Sequence, residues 1–408
     1  MSTVDKLTVE EQVPVRLCNY TDVYAGDDIR DDRPFMTATA TAEQFRRFRL
    51  RVGQTLITKD SETADDIGTP AYVAESAPDL ICGYHVAMLT PRSSEVHPRY
   101  LYWAVSSDYC REQLSAAALG VTRFGLRLDA IEGLTILLPP LDEQRRILEY
   151  LDRETGRIDE VVAMREAMVD ALTARQSASL EALVLGLGRV GSPSRAPYFE
   201  SVPDGWRETR LGHLDCRVQT GPFGSQLHAN EYVEGGWPFV NPANLRGGEI
   251  RADPKMTVSD DKRSELARHV LAVGDIVFGR RGEMGRAGLV TEVEDGWLCG
   301  TGSLRLRLLD ERLVPAYLKL LLETRAVRSY FELNSIGSTM DNLNTTIVLA
   351  VPVLVPPVEE QHAIVAEVRE HAARTSRLVR RLLHQATLLR EHRQAIIASA
   401  IAGEREAA

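Results

Sequence analysis

The chain has 408 residues, of which 44% are hydrophobic and 26% are charged, and its formal net charge is −10. This composition is typical of globular proteins, and the length predicts two or three domains. The negative charge excludes a uniformly basic nucleic-acid coat, and no apolar run approaches the roughly 20 residues that span a bilayer. With no signal peptide and five scattered cysteines, we expect a cytoplasmic protein without disulfides or a zinc knuckle.

The sequence contains a duplication of about 200 residues, which is long enough for each copy to form its own core. The segment Pro139–Gln144 (PPLDEQ) recurs as Pro356–Gln361 (PPVEEQ), at an offset of 217. The same offset relates Cys82 to Cys299, each followed by glycine. Further upstream, Val52-Gly53 matches Val273-Gly274 at an offset of 221, so the copies differ by four residues in between.

The predicted elements follow the duplication along the chain. We predict a first domain at 1–138, a long helix at 139–187, a linker at 188–201, a second domain at 202–355 and a second long helix at 356–405. Gly, Pro and Ser residues concentrated between 186 and 197 indicate the linker. Strand-like alternation precedes each Pro-Pro pair, at Leu134–Leu138 and Val351–Val355, and the prolines should end these strands.

Both long helices carry an apolar stripe with the same heptad phase, and such a stripe needs a partner helix. The simplest partner is the other copy's helix, which predicts an intramolecular coiled coil. The alternative is two amphipathic helices that each pack on their own domain. The residues that we assign to the helix starts and to the seam are Glu143, Gln144, Ile147, Leu151, Ile158, Leu172, Glu360, Gln361, Ile364, Leu378, Leu382 and Leu389.

No motif for catalysis or for nucleotide binding stands out. The sequence has no Gly-x-x-x-x-Gly-Lys-Ser/Thr loop, no His-Glu-x-x-His and no Gly-x-Ser-x-Gly. It also has no Asp/Asn-Pro-Pro-aromatic segment, which is usual in amino-methyltransferase pockets. The sequence therefore predicts neither a catalytic centre nor a metal site in this chain.

A duplicated domain in which each copy ends in Pro-Pro-hydrophobic-acidic-Glu-Gln and a long helix resembles the specificity (S) subunits of type I restriction–modification systems. Val273–Val277 with Arg280-Arg281-Gly282 is similar to a strand and loop of that family's target recognition domains. Gly236–Asn241 looks like the family's opening strand, and Arg16–Tyr24 is similar to the same strand in another type of recognition domain.

The resemblance implies an α/β (α+β) fold: two target recognition domains related by a pseudo-twofold repeat and joined by two helices in an antiparallel coiled coil. Each domain would read one half of a split, asymmetric DNA site, and the coiled coil would act as a spacer. The resemblance also implies a non-catalytic chain without cofactors. Its partners would be double-stranded DNA, two methyltransferase subunits holding S-adenosylmethionine and two restriction–translocase subunits using ATP and Mg, with no membrane.

The first copy departs from the family pattern at its start. The second copy has about 30 residues, from Trp206 to Gly236, before its opening strand, whereas the first has only Met1 to Val13 there. The true start lies upstream, or has been trimmed, or the first domain is naturally short. Recognition by the first domain depends on which of these holds.

Residues that read DNA are expected in loops between strands, where polar and basic side chains can face base edges and phosphates. Lys59 matches Arg280 at the 221 offset, and Thr122 matches Thr339 at the 217 offset. These matches make the loops better candidates for DNA contact than other polar segments. The alternatives are solvated surface charges, loop-capping hydroxyls and, at Gly221, a plain turn. The candidates are Lys59, Asp60, Ser61, Thr122, Arg123, Arg127, Gly221, Gly224, Ser225, Arg280, Arg281, Arg286, Ser338, Thr339, Asn342 and Asn344.

Three other functions compete with this interpretation. The same architecture could serve as the DNA-recognition subunit of another anti-phage defence complex. A scaffold that binds proteins through two globular arms on a coiled coil agrees with the net charge of −10. The third, an enzyme with an unrecognised site, has no motif in its favour.

Overall fold

A computed structural model of the chain describes residues 4, 6–222, 226–228, 231–282, 284–334 and 343–403. The chain divides into two compact units, the first built from two separate segments and the second from one continuous segment. The first unit comprises residues 1–168 and 382–408, and the second comprises residues 169–381. Each unit therefore contains one globular domain and parts of both long helices.

The first unit contains short strands, short helices and the beginning of the first long helix. Its elements are β1 (Val13–Cys18), α1 (Tyr20–Tyr24), β2 (Asp28–Ile29), β3 (Met36–Ala40), α2 (Ala42–Phe48), β4 (Thr55–Thr58), β5 (Asp60–Ser61), β6 (Pro70–Val73), β7 (Leu80–Cys82), β8 (Val86–Leu89), α3 (Pro98–Ser106), α4 (Asp108–Ala117), β9 (Phe124–Gly125) and α5 (Leu128–Glu132). The long helix α6 (Leu141–Leu185) follows and continues into the second unit.

The second unit repeats this sequence of elements with additions at its start. Its elements are β10 (Gly191–Pro193), β11 (Ser201–Pro203), β12 (Arg207–Arg210), β13 (Cys216–Thr220), β14 (Trp237–Val240), β15 (Leu245–Arg246), β16 (Glu249–Ile250), β17 (Thr257–Val258), α7 (Asp260–Glu265), β18 (Ile276–Gly279), β19 (Ala287–Leu289), β20 (Leu298–Cys299), β21 (Ser303–Leu308), α8 (Pro315–Glu323), α9 (Arg325–Asn334), α10 (Thr345–Leu349) and β22 (Pro352–Val355). The second long helix, α11 (Val358–Ala402), ends in the first unit.

The two copies share a sheet plan. In each three-stranded sheet, β3-β1-β7 and β17-β14-β20, the central strand is antiparallel to one neighbour and parallel to the other. Each copy also has a four-stranded sheet, β2-β6-β4-β8 in the first and β13-β21-β18-β19 in the second. Mixed small sheets with helices confirm the predicted α+β fold and the duplication.

A buried glutamine joins the first long helix to its own domain. The side chain of Gln144 is fully buried in the first turns of α6. Its carbonyl oxygen accepts a hydrogen bond from the backbone N–H of His97 at 2.8 Å. Its amide donates to the carbonyl oxygens of Glu95 and Pro139, both at 2.7 Å. One buried side chain thus makes three hydrogen bonds to backbone groups at the start of the helix.

The second copy repeats this joint at the same offset. Gln361 is also fully buried, and its carbonyl oxygen accepts from the backbone N–H of Val314 at 2.7 Å. Its amide donates to the carbonyl oxygens of Arg312 at 2.7 Å and Pro356 at 2.8 Å. Every partner lies 217 residues after its counterpart in the first copy. The Glu-Gln motif is therefore a structural joint between a domain and its helix.

The glutamate that precedes each of these glutamines lies near the surface. Glu143 pairs with Arg146 on its own helix at 2.6 Å. Glu360 instead pairs with Arg189 and accepts a hydrogen bond from the indole N–H of Trp206 at 3.0 Å. The two copies thus share the buried glutamine but not the contacts of the glutamate.

The two long helices pack on each other, which confirms the predicted coiled coil. In the first unit, Ile147 and Leu151 of α6 belong to one buried cluster with Ile397 and Ala400 of α11. Further along α6, Asp159 pairs with Arg393 at 2.9 Å, and Glu166 pairs with Arg390. Because the residue numbers rise on α6 as they fall on α11, the helices are antiparallel.

In the second unit, the opposite ends of the same helices are in contact. Val184 and Leu185 near the end of α6 share a buried cluster with Ile364 and Val368 of α11. Ser179 lies 3.1 Å from the ring of His371, again with the helices antiparallel. The coiled-coil packing therefore occurs in both units and always between α6 and α11.

The seam shifts from the predicted heptad positions toward the middle of each helix. Ile158 and Leu382 are buried and Leu389 and Leu172 are half-buried, but Leu378 is 44% exposed. Next to these positions, Val162 and Ala386 enter a buried cluster with Ile158. An α-helix has 3.6 residues per turn, so a strict 3.5-residue pattern drifts by about 20° per heptad. Drift alone does not account for Leu378, because Leu382 and Leu389, which lie further along the same stripe, are buried and half-buried.

The predicted strand at Leu134–Leu138 is wrong for the first copy and confirmed for the second. In the second copy, β22 pairs antiparallel with β12, whereas 134–140 adopts no regular structure. No counterpart of β12 pairs with that segment within the described residues. The side chain of Gln113 instead accepts from the N–H of Thr135 and donates to its carbonyl oxygen, both at 3.0 Å. A strand-like sequence needs a neighbouring strand to complete its hydrogen bonds.

The predicted linker is partly structured. Within it, β10 pairs antiparallel with β11 to form a hairpin. Between these strands, Phe199 is 7% exposed and belongs to the core of the second unit. An aromatic side chain in a Gly/Pro/Ser-rich stretch thus anchors the segment to the domain that follows.

We predict that replacing Gln144 or Gln361 by alanine lowers the free energy of unfolding by about 2–4 kcal/mol, because a buried side chain loses three hydrogen bonds worth about 0.5–1.5 kcal/mol each. Denaturant unfolding followed by circular dichroism measures this change. Arg145→Ala is the matched control, since Arg145 is on the same helix but its side chain is 62% exposed. The control should stay within about 0.5 kcal/mol of the unmodified chain. Equal effects at Gln144 and Arg145 would contradict the joint.

Candidate nucleic-acid interface

The loop that begins at Lys59 is held between two other segments of the first unit. The N–H of Lys59 donates to the carbonyl oxygen of His85 at 3.0 Å, and its carbonyl oxygen accepts from the N–H of Leu126 at 2.8 Å. The next residues form β5, which pairs with β9 so that Ser61 lies opposite Phe124. Three stretches that are far apart in the sequence therefore meet at this loop.

The loop that begins at Arg280 is held in the same way in the second unit. The N–H of Arg280 donates to the carbonyl oxygen of Gly302 at 2.9 Å, and its carbonyl oxygen accepts from the N–H of Leu343 at 3.0 Å. Gly302 and Leu343 lie 217 residues after His85 and Leu126. Lys59 and Arg280 are thus equivalent in structure, as the 221 offset predicted.

Basic and acidic side chains form a connected cluster beside Lys59. The carboxylate of Asp60 lies 2.7 Å from Nδ1 of His85 and 3.5 Å from Nζ of Lys59. The guanidinium of Arg123 lies 3.1 Å from Nε2 of His85. Because arginine can only donate, this network is satisfied when Nδ1–H of His85 donates to Asp60 and Nε2 accepts from Arg123. The structure thus brings three of the predicted residues together around one histidine.

Aromatic rings surround the same histidine, and they are absent from the residues predicted above. The ring of Tyr84 lies 3.8 Å from that of His85 between centroids, and the ring of Tyr20 lies 5.7 Å away. Tyr20 is 41% exposed and contacts Tyr24 edge to face. Rings next to basic groups can stack on bases or sugars. The sequence feature that indicates this aromatic cluster is Tyr84-His85, which directly follows the repeated Cys-Gly pair.

Thr122 and Arg127 are less closely connected to this cluster. Thr122 is exposed in the turn that leads into β9, next to Val121, which is 93% exposed. Arg127 has a side chain that is 70% exposed and pairs with Asp129 at 3.2 Å. Within the described residues, neither side chain forms a hydrogen bond or an ion pair with Lys59 or His85. Their assignment to DNA remains a prediction.

In the second unit, three arginines lie on the hairpin that connects β18 to β19. Arg280 follows β18 directly and donates from Nε to the carbonyl oxygen of Leu343 at 3.2 Å. Arg281 is exposed, and the backbone of Arg286 accepts from Gly279 at 3.0 Å where the hairpin closes. For the part of the chain that the structure describes, no carboxylate pairs with any of these arginines. The hairpin therefore presents positive charge.

Other predicted residues have structural explanations or lie outside the described residues. The carbonyl oxygen of the Asn344 side chain accepts from the N–H of Ile347 at 2.9 Å, so Asn344 caps α10. A Cβ on Gly221 would overlap the carbonyl oxygen of Gly300, which explains glycine at this position without a ligand. Gly224, Ser225, Ser338, Thr339 and Asn342 lie outside the described residues.

The described residues contain no group of three or more His, Cys, Asp or Glu side chains arranged to hold a metal ion. All five cysteines are free thiols. Burial raises the pKa of Cys82 and of Cys299, 217 residues later, to about 12. In the same part of the chain, no helix is both long enough and apolar enough to cross a lipid bilayer.

A family model and several curated proteins match the sequence. The model of the type I restriction modification DNA specificity domain matches residues 19–160 and 203–387. The specificity subunit of the type I restriction enzyme EcoBI from Escherichia coli is 22% identical over 338 residues, which are 81% of this chain and 70% of that protein. The StySPI specificity subunit from Salmonella potsdam is 24% identical over 316 residues, which are 76% of this chain and 66% of that protein.

A solved structure supports the fold. Described as "Structural basis underlying complex assembly and conformational transition of the type I R-M system", it contains a chain that matches this one with a TM-score of 0.68. The two chains are 22% identical, and the match covers 96% of this chain and 92% of the other. At this level of identity, the likeness concerns the fold alone.

Proposed function

The chain belongs to the type I restriction–modification DNA specificity family, and from that premise we propose that it directs a type I complex to a split, asymmetric DNA site. The observation that carries this proposal is the pair of equivalent loops at Lys59 and Arg280. Both are held by the same backbone contacts, yet the first carries a lysine next to the cluster of Asp60 and His85, and the second is an arginine-rich hairpin. Equivalent frames with different side chains suit the reading of two different half-sites.

The side chains at the two loops match the chemistry of base edges and phosphates. Arginine and lysine donate to the O6 and N7 acceptors of guanine, and both also contact phosphates. The cluster at His85 adds a carboxylate, Asp60, which can accept from the amino group of cytosine. We assign the first half-site to the Lys59 loop, with Asp60 and Arg123, and the second to the hairpin 280–286.

The two antiparallel helices would set the distance between the half-sites, as a rigid dimer sets operator spacing. The chain itself would perform no chemistry. Methyltransferase subunits with S-adenosylmethionine and restriction–translocase subunits with ATP and Mg would supply it. The relatives are named as specificity subunits of restriction enzymes, which supports a role in DNA recognition for this chain and the assignment of the chemistry to other subunits.

Mapping of methylated bases across a genome tests the proposal directly. The chain is expressed with its methyltransferase subunit in cells that lack other methylation systems, and each component is also expressed alone. We predict one bipartite, asymmetric motif that is methylated only when both proteins are present. A motif with one undefined half would mean that the first domain does not read DNA. If partner binding is intact but methylation is absent, the proposal fails in favour of a scaffold or of another defence complex.

A pair of substitutions tests the assignment of the two loops. We predict that Arg280→Ala relaxes the motif only in the second half-site, and that Lys59→Ala relaxes it only in the first. Removing a hydrogen bond to a base should cost about 1–3 kcal/mol in binding to the intact site. Methylation mapping of each variant measures the relaxation, and the two variants control for each other.

Other outcomes of this pair would separate the remaining roles. A residue that contacts only phosphate would weaken binding evenly for all sequences without changing either half of the motif. Relaxation of the same half-site by both substitutions would contradict the assignment of one loop to each half.

A further inference from the structure

One side of the second unit's four-stranded sheet opens into a basic concavity of about 720 Å³. Along β21, Leu304 and Leu306 point into the hydrophobic core, so the alternating Arg305 and Arg307 point to the opposite face. Neighbouring strand β13 adds Arg217 to that face, and the segment that follows α7 adds Arg268. Four arginines thus line one concavity, and none of them belongs to the hairpin 280–286.

One carboxylate partner accounts for only part of this charge. Asp275, with a side chain that is 1% exposed, pairs with Arg307 at 2.6 Å and accepts from the N–H of Ala272 at 2.8 Å. Arg305 donates only to neutral acceptors, the side-chain oxygen of Gln219 at 2.9 Å and the carbonyl oxygen of Val270 at 2.8 Å. Among the described residues that line the concavity there is no carboxylate. Within the described residues, Arg217 and Arg268 therefore have no carboxylate partner, and Arg305 has no direct one, although Asp275 lies close enough to favour its charge.

Arg305 is held in an environment that disfavours its charge. The residue is 7% exposed, and its Nε is buried without a hydrogen-bond partner in the described part of the chain. Burial, and then the nearby charge of Arg307, lower the pKa of Arg305 below its ordinary value. Crowded, desolvated cations of this kind are stabilised when an anion binds between them.

A buried histidine holds Arg268 at the edge of the concavity. Nε of Arg268 donates to Nε2 of His269 at 3.0 Å. Burial, followed by the charges of Arg268 and Arg305, lowers the pKa of His269 to about 4. At neutral pH the ring is therefore uncharged and can accept this hydrogen bond. The histidine orients the arginine without adding a negative charge that would compete with a ligand.

We propose that this concavity binds a phosphate group, namely a phosphodiester of the DNA backbone on the side of the second half-site. Arginine is the side chain best suited to phosphate, since its planar fork donates two parallel hydrogen bonds. The anion site rests on its own geometry, and its assignment to DNA rests on the proposed function. A free phosphate would use the same chemistry, and the experiment distinguishes the two sources.

The site belongs to the second copy alone. At the 217 offset, the positions of Arg305 and Arg307 are occupied in the first copy by Met88 and Thr90. In the second copy, β13 carries Arg217 and pairs with β21. In the first copy, β8 is the counterpart of β21, and within the described residues no strand pairs with its free edge. We therefore expect the second domain to contribute more of the sequence-independent affinity than the first.

The test is a double variant, Arg217→Gln with Arg268→Gln, because both arginines are exposed while Arg305 and Arg307 are needed in the sheet. The complex with the methyltransferase subunit is titrated with a duplex that carries the mapped site and with a scrambled duplex, over a series of KCl concentrations. The control is Arg246→Gln with Arg251→Gln, which removes the same charge from exposed positions in the same unit. Unfolding midpoints confirm that all variants are folded.

We expect the affinity of the double variant to fall by the same factor for both duplexes, roughly tenfold or more. The slope of log K against log salt should become less negative by about 0.9 for each phosphate that the variant no longer binds, and the control should keep the original slope. Unchanged affinity and slope, in a complex that still discriminates between the duplexes, would overturn the inference and leave the proposed function intact. A weakening confined to the mapped site would also overturn it, because it would indicate that these arginines read bases.

Inorganic phosphate is the probe that tests whether the concavity binds free phosphate instead of the DNA backbone. If phosphate raises the unfolding midpoint more than chloride at equal ionic strength, and the double variant abolishes this difference without changing DNA binding, the site takes free phosphate and the assignment to DNA is overturned. If the unmodified complex cannot discriminate between the duplexes, the proposed function fails. The phosphate measurement would still decide whether the concavity binds an anion.

Discussion

The architecture depends on one buried side chain in each copy, the glutamine that joins a globular domain to its long helix. Gln144 and Gln361 each bind three backbone groups at the point where the chain leaves the domain. A hydrogen bond contributes about 0.5–1.5 kcal/mol, so three at one side chain strongly fix the direction of the helix relative to its domain. The apolar stripe of that helix must then be covered, and the stripe of the other copy covers it.

A repeated frame with different loops would allow one chain to recognise the asymmetric site proposed for it. Lys59 and Arg280 are equivalent in backbone geometry but differ in surroundings, since His85 and two tyrosines lie beside the first. The copies also differ in charge on the sheet face, where Arg305 and Arg307 replace Met88 and Thr90. The side chains that read bases and those that bind phosphate would thus have changed independently, while the backbone of the two copies stayed the same.

The features that depend on local pattern could be predicted from the sequence. The duplication, both long helices, their mutual packing and the strand before Pro356 follow from periodicity and from motifs that recur at one offset. The matched positions of Lys59 and Arg280 were also correct in structure. These predictions succeed because each depends on residues that are close together along the chain or repeated at fixed spacing.

The features that depend on distant partners could not be predicted in this way. The run Leu134–Leu138 alternates like a strand but lacks a neighbouring strand, and Gln113 takes over its hydrogen bonds. Leu378 fits the heptad stripe but is 44% exposed, because its burial depends on which side chains of α6 lie opposite it. Arg217 and Arg305 meet only because β13 pairs with β21, and no local pattern in a single sequence identifies that pairing.

If the paired helices determine the gap between two separately read half-sites, lengthening both helices must lengthen that gap. One heptad can be inserted in each helix, between Met168 and Val169 of α6 and between Arg381 and Leu382 of α11, so that both seams stay in phase. Seven residues add roughly 10 Å, or about three base pairs. We expect methylation mapping to find the same two half-sites separated by a gap that is longer by about that amount. A changed half-site with an unchanged gap would contradict the role of the helices as the spacer.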